Sequence, residues 1–409
     1  MMILYFGNLI VLSRCLLNST DETSVKPKGD ENMCTRILWT GKDKSGKFHS
    51  ICGRNMDWGI DMGEKLWVFP AGLKRKSDVK GKPVEWVSKY GSIATIVYDQ
   101  ATSDGMNEKG LGVHANWLAK SFYGERDESK PGLDCNRALQ YFLDNFATVK
   151  EVVEYFKNNQ DMQLVETKIT KGKFEVPIEC HLAIEDAQGE SLIVEYLNKN
   201  DDDDTKPRVL EVKIYYSGDL PELYLKYCNN LDIPSEKKEE YKANYLKAYN
   251  VLTNNPTFKK QLENLKNYKY FISDDHLNLP GDTDASSRFV RGAYYLINLP
   301  EPTNQREAIA QVLSVMRSTA QPFRKPKPDS NALYASSTRW RTVAACTEKL
   351  YMYESSVNPT LIWLDANKLD FKEGSEVCVF DLTKHETVIG EVSEKLTPAE
   401  DLFGKNLSE

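Results

Sequence analysis

Residues 34–58 read Cys-Thr-Arg-Ile-Leu-Trp-Thr-Gly-Lys-Asp-Lys-Ser-Gly-Lys-Phe-His-Ser-Ile-Cys-Gly-Arg-Asn-Met-Asp-Trp. Two apolar-rich runs, Ile37 to Thr40 and Phe48 to Cys52, flank the polar cluster Lys42 to Lys47, whose composition is that of a turn between two strands. Folding about Lys44 sets Cys34 opposite residue 53 or 54, so Arg54 and then Asp57 come back beside the thiol. A nucleophile, a guanidinium and a carboxylate then converge through one local hairpin. Met33 directly precedes Cys34, and a small side chain after Met permits aminopeptidase trimming, which would make Cys34 the amino terminus. A free α-amine titrates near 7.7–8.0, so it can accept the thiol proton and serve as the nucleophile's own base. Without that setting, a lone Cys in a strand is a small buried hydrophobe.

The chain has 409 residues, 41% of them apolar, enough to bury a large core in a single domain. Its formal charge of -7 excludes the concentrated basic surface that a nucleic-acid partner requires. Eight cysteines occur without a C-x-x-C pair and histidines number only five, so neither composes a zinc site. The apolar run Ile3 to Leu12 is too short to span a bilayer and lacks the basic start of a secretory signal, so no stable membrane anchor is expected. Residues 1–33 read as a leader or upstream extension removed from the active protein. Translation starting at Met33 implies a cytoplasmic enzyme; a signal in residues 1–33 implies a periplasmic or secreted one.

Downstream, Ile93 to Val97 is strand-like and leads to Asp104-Gly105-Met106-Asn107-Glu108-Lys109-Gly110-Leu111, followed by Gly112 to Leu118. Residues 133–159 predict two helices, with Leu139, Phe142, Leu143 and Phe146 at helical spacing and Thr148 with Glu151 as a capping box. His181–Asp186 and Ser191–Tyr196 form a second hairpin around Gly189. The run Asp201 to Asp204 lacks the spacing of a calcium loop and reads as solvated. Gln305 to Met316 is an amphipathic helix; Thr342–Tyr353, Thr360–Leu364 and Val377–Leu382 return to strands, and the tail after His385 is expected to fray.

Met33-Cys34-Thr35, Gly53 to Trp58 and Asp104 to Leu111 resemble, in that order, motifs of the choloylglycine hydrolase family, which contains conjugated bile acid hydrolases and penicillin V acylases. Leu252-Thr253-Asn254-Asn255-Pro256-Thr257-Phe258, and Pro280-Gly281-Asp282 with Ser287-Arg288-Phe289-Val290-Arg291, are similar to its later motifs. The likeness runs from Cys34 to about residue 385, with an insertion at about 200–245 and a tail from 386 to 409. It implies an α+β fold, the four-layer αββα sandwich of N-terminal nucleophile hydrolases, and hydrolysis of a linear amide without metal or cofactor. The implied catalytic residues are Cys34 as nucleophile, Arg54 and Arg288 as the charges favouring its thiolate, and Asp57 as the group holding the α-ammonium. Asn116 and Asn254 are the implied amide donors to the oxyanion. A small-molecule acyl amide is the implied partner, in a homo-oligomer, dimer or tetramer. Trp117 stands where bile-salt-selective Gram-positive members have Phe or Tyr, and residues 269–279 are a short connection where those members have a long excursion supporting the tetramer; the chain resembles Gram-negative members there. Rival readings are an N-acyl ethanolamine or acyl-homoserine lactone amidohydrolase, or an inert binding protein that keeps residues 1–33.

Overall fold

The computed structural model describes residues 33–404 apart from 160, 173, 202–204, 220–235, 237, 269–277, 326–335, 359 and 386. Its first hairpin joins β1 (Met33–Lys42) to β2 (Phe48–Trp58). The Asp43 carboxylate closes the loop by accepting from the backbone N–H of Ser45 (2.9 Å) and Lys47 (3.1 Å). Because that loop takes five residues, the hairpin folds about Ser45 and not Lys44: Cys34 faces Met56, Arg36 faces Arg54, and Asp57 faces Met33. The expected pairing of Cys34 with residue 53 or 54 is corrected accordingly.

This hairpin lies in a seven-stranded sheet ordered Val251–Leu252, β1, β2, Ser337–Ala345, Leu350–Ser355, Leu361–Asp365 and Gly390–Glu391. A nine-stranded sheet runs Leu210–Tyr216, Ser191–Asn198, Cys180–Glu185, Gly112–Trp117, Ala101–Asn107, Ser92–Val97, Lys65–Phe69, Cys378–Phe380 and Thr397–Pro398. Three apolar clusters define the layers. Ile37, Ile51 and Val343 pack with Phe258, Phe289, Val312 and Met316 of the helices Phe258–Leu265, Ala285–Ile297 and Gln305–Ser318. Leu38, Cys52, Leu66, Met106 and Tyr351 fill the space between the sheets. Ile96, Val113, Leu182 and Val194 pack with Leu139, Phe142 and Val152 of the helices Cys135–Asn145 and Val149–Asn158. Helix, sheet, sheet, helix is the four-layer αββα sandwich of N-terminal nucleophile hydrolase type.

Alternation along β1 and β2 assigns faces. Cys34, Arg36, Leu38, Cys52, Arg54 and Met56 point between the sheets; Thr35, Ile37, Ile51, Gly53, Asn55 and Asp57 point at the helices. A Cβ on Gly53 would stand 2.5 Å from Met316 Cγ, so this glycine lets the helix Gln305–Ser318 lie close on β2.

Thr148 accepts from Glu151 N–H at the start of the second helix, while the Glu151 carboxylate returns to Ala147 N–H, one residue before the cap. Part of the 200–245 segment belongs to the fold. Leu210–Tyr216 extends the sheet edge beside Ser191–Asn198, and Tyr241 and Tyr245 of the helix Lys238–Ala248 enter the core; Asp202 to Asp204 lie outside the described residues, as do residues 269–277. The expected frayed tail is instead anchored. Gly390–Glu391 pairs with Leu361–Asp365, Thr397–Pro398 pairs with Cys378–Phe380, and the apolar side chains of Val392 and Phe403 are buried. Among the described residues no helix is long and apolar enough to cross a membrane.

Candidate active site

All six residues marked in the sequence are buried, none more than 3% exposed. Five of them meet at the first strand. Arg54 Nη2 lies 3.5 Å from Cys34 Sγ, and also donates to Ala115 O at 2.7 Å and approaches Met56 Sδ at 3.2 Å. On the opposite face, Arg288 Nη1 donates to Cys34 O (2.6 Å) and Thr35 Oγ1 (2.5 Å) and lies 3.5 Å from Asp57 Oδ2. Asn254 Oδ1 accepts from Cys34 N–H at 2.6 Å and from Arg288 Nη2 at 2.8 Å. Arg54 thus attends the side chain of Cys34, whereas Arg288 and Asn254 hold its backbone and Asp57 reaches it only through Arg288. Asp57 is fixed by Thr338 Oγ1 (2.5 Å) and Gln321 Nε2 (3.3 Å).

The asparagines differ. Asn254 Nδ2 gives one hydrogen to Trp117 O at 2.7 Å, and an amide has a second to offer. Asn116 Nδ2 faces Leu252 O and Thr253 O, both at 3.2 Å, so it braces the short strand that ends just before Asn254.

Burial opposes the charge on Arg54, but Cys34 and Asp104 outweigh it and raise the guanidinium above its ordinary value. Burial pushes the Asp57 carboxyl up although Arg288 pulls it back, and the same burial draws Arg288 down. Asp104 sits 3.7 Å from Arg54 Nε. Its motif was plain in the sequence, yet no role for it followed, because its partners Arg54 and Tyr351 (2.5 Å) lie on the facing sheet. The rest of that motif is structural. Asn107 Oδ1 accepts from Lys109 and Leu111 N–H, its Nδ2 donates to Leu143 O and Phe146 O, and Gly110 takes φ 84 where a Cβ would strike Cys346 O.

The thiol opens on a cleft walled by Met56, Trp58, Met62, Trp117, Leu139 and Ile169 among others. Trp58 and Trp117 meet edge to face, ring centroids 5.8 Å apart. Arg54 Nη1 and Trp117 Nε1 are buried without a hydrogen-bond partner among the described residues, which leaves two donors beside an otherwise apolar chamber. Among the described residues one trio could share an ion: Cys52, His114 and Glu185 have ligand atoms within 4.8 Å of one another. The contacts there do not fit one, since His114 Nε2 bonds Glu185 Oε1 directly at 2.5 Å and Arg36 holds the other oxygen at 2.7 Å.

A four-layer sandwich whose first hairpin sets a thiol and a guanidinium against an apolar cleft is the setting of a hydrolase of linear amides. The chain belongs to the choloylglycine hydrolase family of linear amide C–N hydrolases, whose pattern it matches over residues 34–202 and 233–380. It is 31% identical over 389 residues to the penicillin V acylase of Pectobacterium atrosepticum, covering 90% of each chain. It is 26% identical over 380 residues to the bile salt hydrolase/transferase of Clostridium perfringens, covering 86% of this chain and 98% of that one. The structure of penicillin V acylase from Agrobacterium tumefaciens superimposes with a TM-score of 0.67 at 33% identity, covering 90% of this chain and 98% of that one.

Proposed function

We propose that Cys34, freed as the amino terminus, is the nucleophile of an amidohydrolase that releases an apolar, aromatic-tipped acyl group of the phenoxyacetyl kind, as in penicillin V. The observation that carries this reading is the double engagement of Cys34, its N–H on Asn254 Oδ1 at 2.6 Å and its Sγ 3.5 Å from Arg54 Nη2, at the wall of an apolar cleft.

The α-amine takes the thiol proton, and the thiolate attacks the amide carbonyl to form a tetrahedral intermediate. The second Nδ2 hydrogen of Asn254 stabilises its oxygen, with Asn116 acting through the strand it braces. The ammonium returns the proton to the departing amine as the C–N bond breaks, leaving a thioester on Cys34. Water, deprotonated by the same amine, then releases the acid. Arg288, paired with Asp57, holds the Cys34 backbone throughout. Support for the phenoxyacetyl class comes from Trp58 and Trp117, whose edge-to-face pair suits a flat ring, and from the two penicillin V acylases at 31% and 33% identity. A panel of penicillin V, glycine- and taurine-conjugated bile acids, an N-acyl ethanolamine and an acyl-homoserine lactone tests it. Release of 6-aminopenicillanic acid as the fastest reaction is expected; preferred cleavage of a bile acid conjugate or a long-chain acyl amide overturns the acyl assignment.

A further inference from the structure

Behind Arg54 a buried polar row crosses the space between the sheets. Arg36 on β1 places Nη2 2.7 Å and Nε 3.3 Å from Glu185 Oε2. Glu185, ending the strand Cys180–Glu185, meets His114 Nε2 at 2.5 Å, and His114 Nδ1 meets Asp104 Oδ2 at 2.7 Å. Asp104 in turn stands 3.7 Å from Arg54 Nε. The side chains of Arg36, His114, Asp104, Glu185 and Arg54 are each at most 1% exposed. Neither His114 nor Glu185 has a part in the chemistry described above.

Each His114 ring nitrogen faces a carboxylate oxygen, and an ionised carboxylate only accepts, so both nitrogens must donate. We propose that His114 is a positioning residue of this hydrolase, a doubly protonated imidazolium whose fixed charge links Arg36, Glu185, Asp104 and Arg54 in an alternating row that ends at the Cys34 thiolate. The inference rests on Cys34 being the nucleophile. With the imidazolium, three cations and two carboxylates leave a single net positive charge, which adds to the α-ammonium in favouring the thiolate. With a neutral ring the row would carry no net charge, and the α-ammonium alone would balance the buried thiolate.

The other groups facing His114 agree. Tyr351 and Thr342, from the far sheet, donate to Asp104 at 2.5 Å and 3.2 Å and so keep it an acceptor. Cys52 Sγ lies 3.3 Å from His114 Nε2, and burial pushes its thiol up, so it remains neutral. Burial opposes the charge on His114, but the Asp104 and Glu185 carboxylates outweigh it and hold the imidazole well above its ordinary value.

Two measurements test the proposal. In ¹⁵N-histidine NMR of the intact enzyme, His114 should show both nitrogens protonated from pH 6 to 8, a range chosen to straddle the ordinary titration of about 6.5. A neutral His114 ring within that range overturns the proposal. In His114→Gln, kcat should fall roughly ten- to a hundredfold with KM little changed, the scale for losing an outer partner that orients a reacting group. The pH midpoint for alkylation of Cys34 by iodoacetamide should rise by about one unit as its charge partner loosens. An unchanged midpoint and kcat, or stoichiometric zinc on the purified enzyme that His114→Gln loses, overturns it. If His114→Gln does not fold, Asp104→Asn is read in the same way. Hydrolysis surviving in Cys34→Ser would instead remove the nucleophile reading, and an inactive Cys34→Ser beside an unaltered His114→Gln would remove the His114 proposal alone.

Discussion

A thiol becomes a nucleophile through its surroundings, and the cysteines of this chain are surrounded differently. Cys34 has Arg54 at 3.5 Å, whereas burial pushes the thiols of Cys52, Cys135, Cys180, Cys346 and Cys378 up. Cys180 lines the same cleft as Cys34 and serves as an internal control. In enzyme that begins at Cys34, iodoacetamide should therefore label Cys34 first, and peptide mapping that finds Cys180 labelled earlier would count against the assignment. Cys34→Ser should lose hydrolysis while keeping the wild-type melting temperature, because the two side chains differ little in volume; near-normal turnover would end the nucleophile reading. Asn254→Ala should lower kcat by about 10²–10³, the cost of one oxyanion donor. Asn116→Ala should act through the strand and so change stability as well as rate, a difference that thermal melts run beside the kinetics would expose.

At the level of elements, the first hairpin shows what was legible in the sequence and what was not. The strands, the turn and the return of Arg54 to Cys34 followed from local composition, since every partner lay within one hairpin. The turn centre missed by one residue, and the pairing of Cys34 therefore by at least two, because the Asp43 side chain closes a five-residue loop, a detail that apolar patterning does not encode. Asp57 was placed beside the thiol, yet strand alternation turns it toward the helices, where Arg288, Thr338 and Gln321 receive it. Its partners come from segments far along the chain, so no local signal announced them. The same holds for His114, read only as part of a strand, whose carboxylate partner Glu185 is 71 residues away. Leu210–Tyr216 escaped notice because it is an edge strand whose outer residues Val212 and Ile214 stay exposed. The packing of Gly53 offers a test at this scale. Gly53→Ala sets a methyl against Met316 and should destabilise by about 1–3 kcal/mol, the cost of overpacking a filled core. Met316→Ala should partly relieve it, so a double-mutant cycle on denaturant unfolding with no coupling would show that the helix does not press on β2 there.

The molecule as a whole joins two sheets through buried charge, and its stability should vary with pH for that reason. Burial works against the Glu185 carboxylate, yet His114 and Arg36 outweigh it and bring it to about 2, below an ordinary value of 4.5. That contribution is complete above pH 4.5 and is lost as pH falls toward 2. His114, raised above 6.5, contributes fully below that pH and progressively less as pH rises toward its folded value. Melting temperature should thus decline on the acid side in the wild type and decline less in Glu185→Gln; equal slopes would place the acid sensitivity elsewhere. Activity depends on a second whole-chain property, the state of the amino group of Cys34. With residues 1–33 attached, that nitrogen is an amide: β1 starts at Met33, paired with Asp57, and the Cys34 N–H is committed to Asn254. An amide cannot accept the thiol proton, whereas a free α-amine titrating near 7.7–8.0 can. Chain rebuilt to start at Met33, and trimmed to Cys34, should hydrolyse the preferred amide, and chain that retains residues 1–33 should not. Amino-terminal sequencing and intact mass of the active fraction, measured beside turnover, decide the matter. Full turnover from chain shown by mass to keep its first 33 residues would refute the amine as base and would move that role to another group in the cleft.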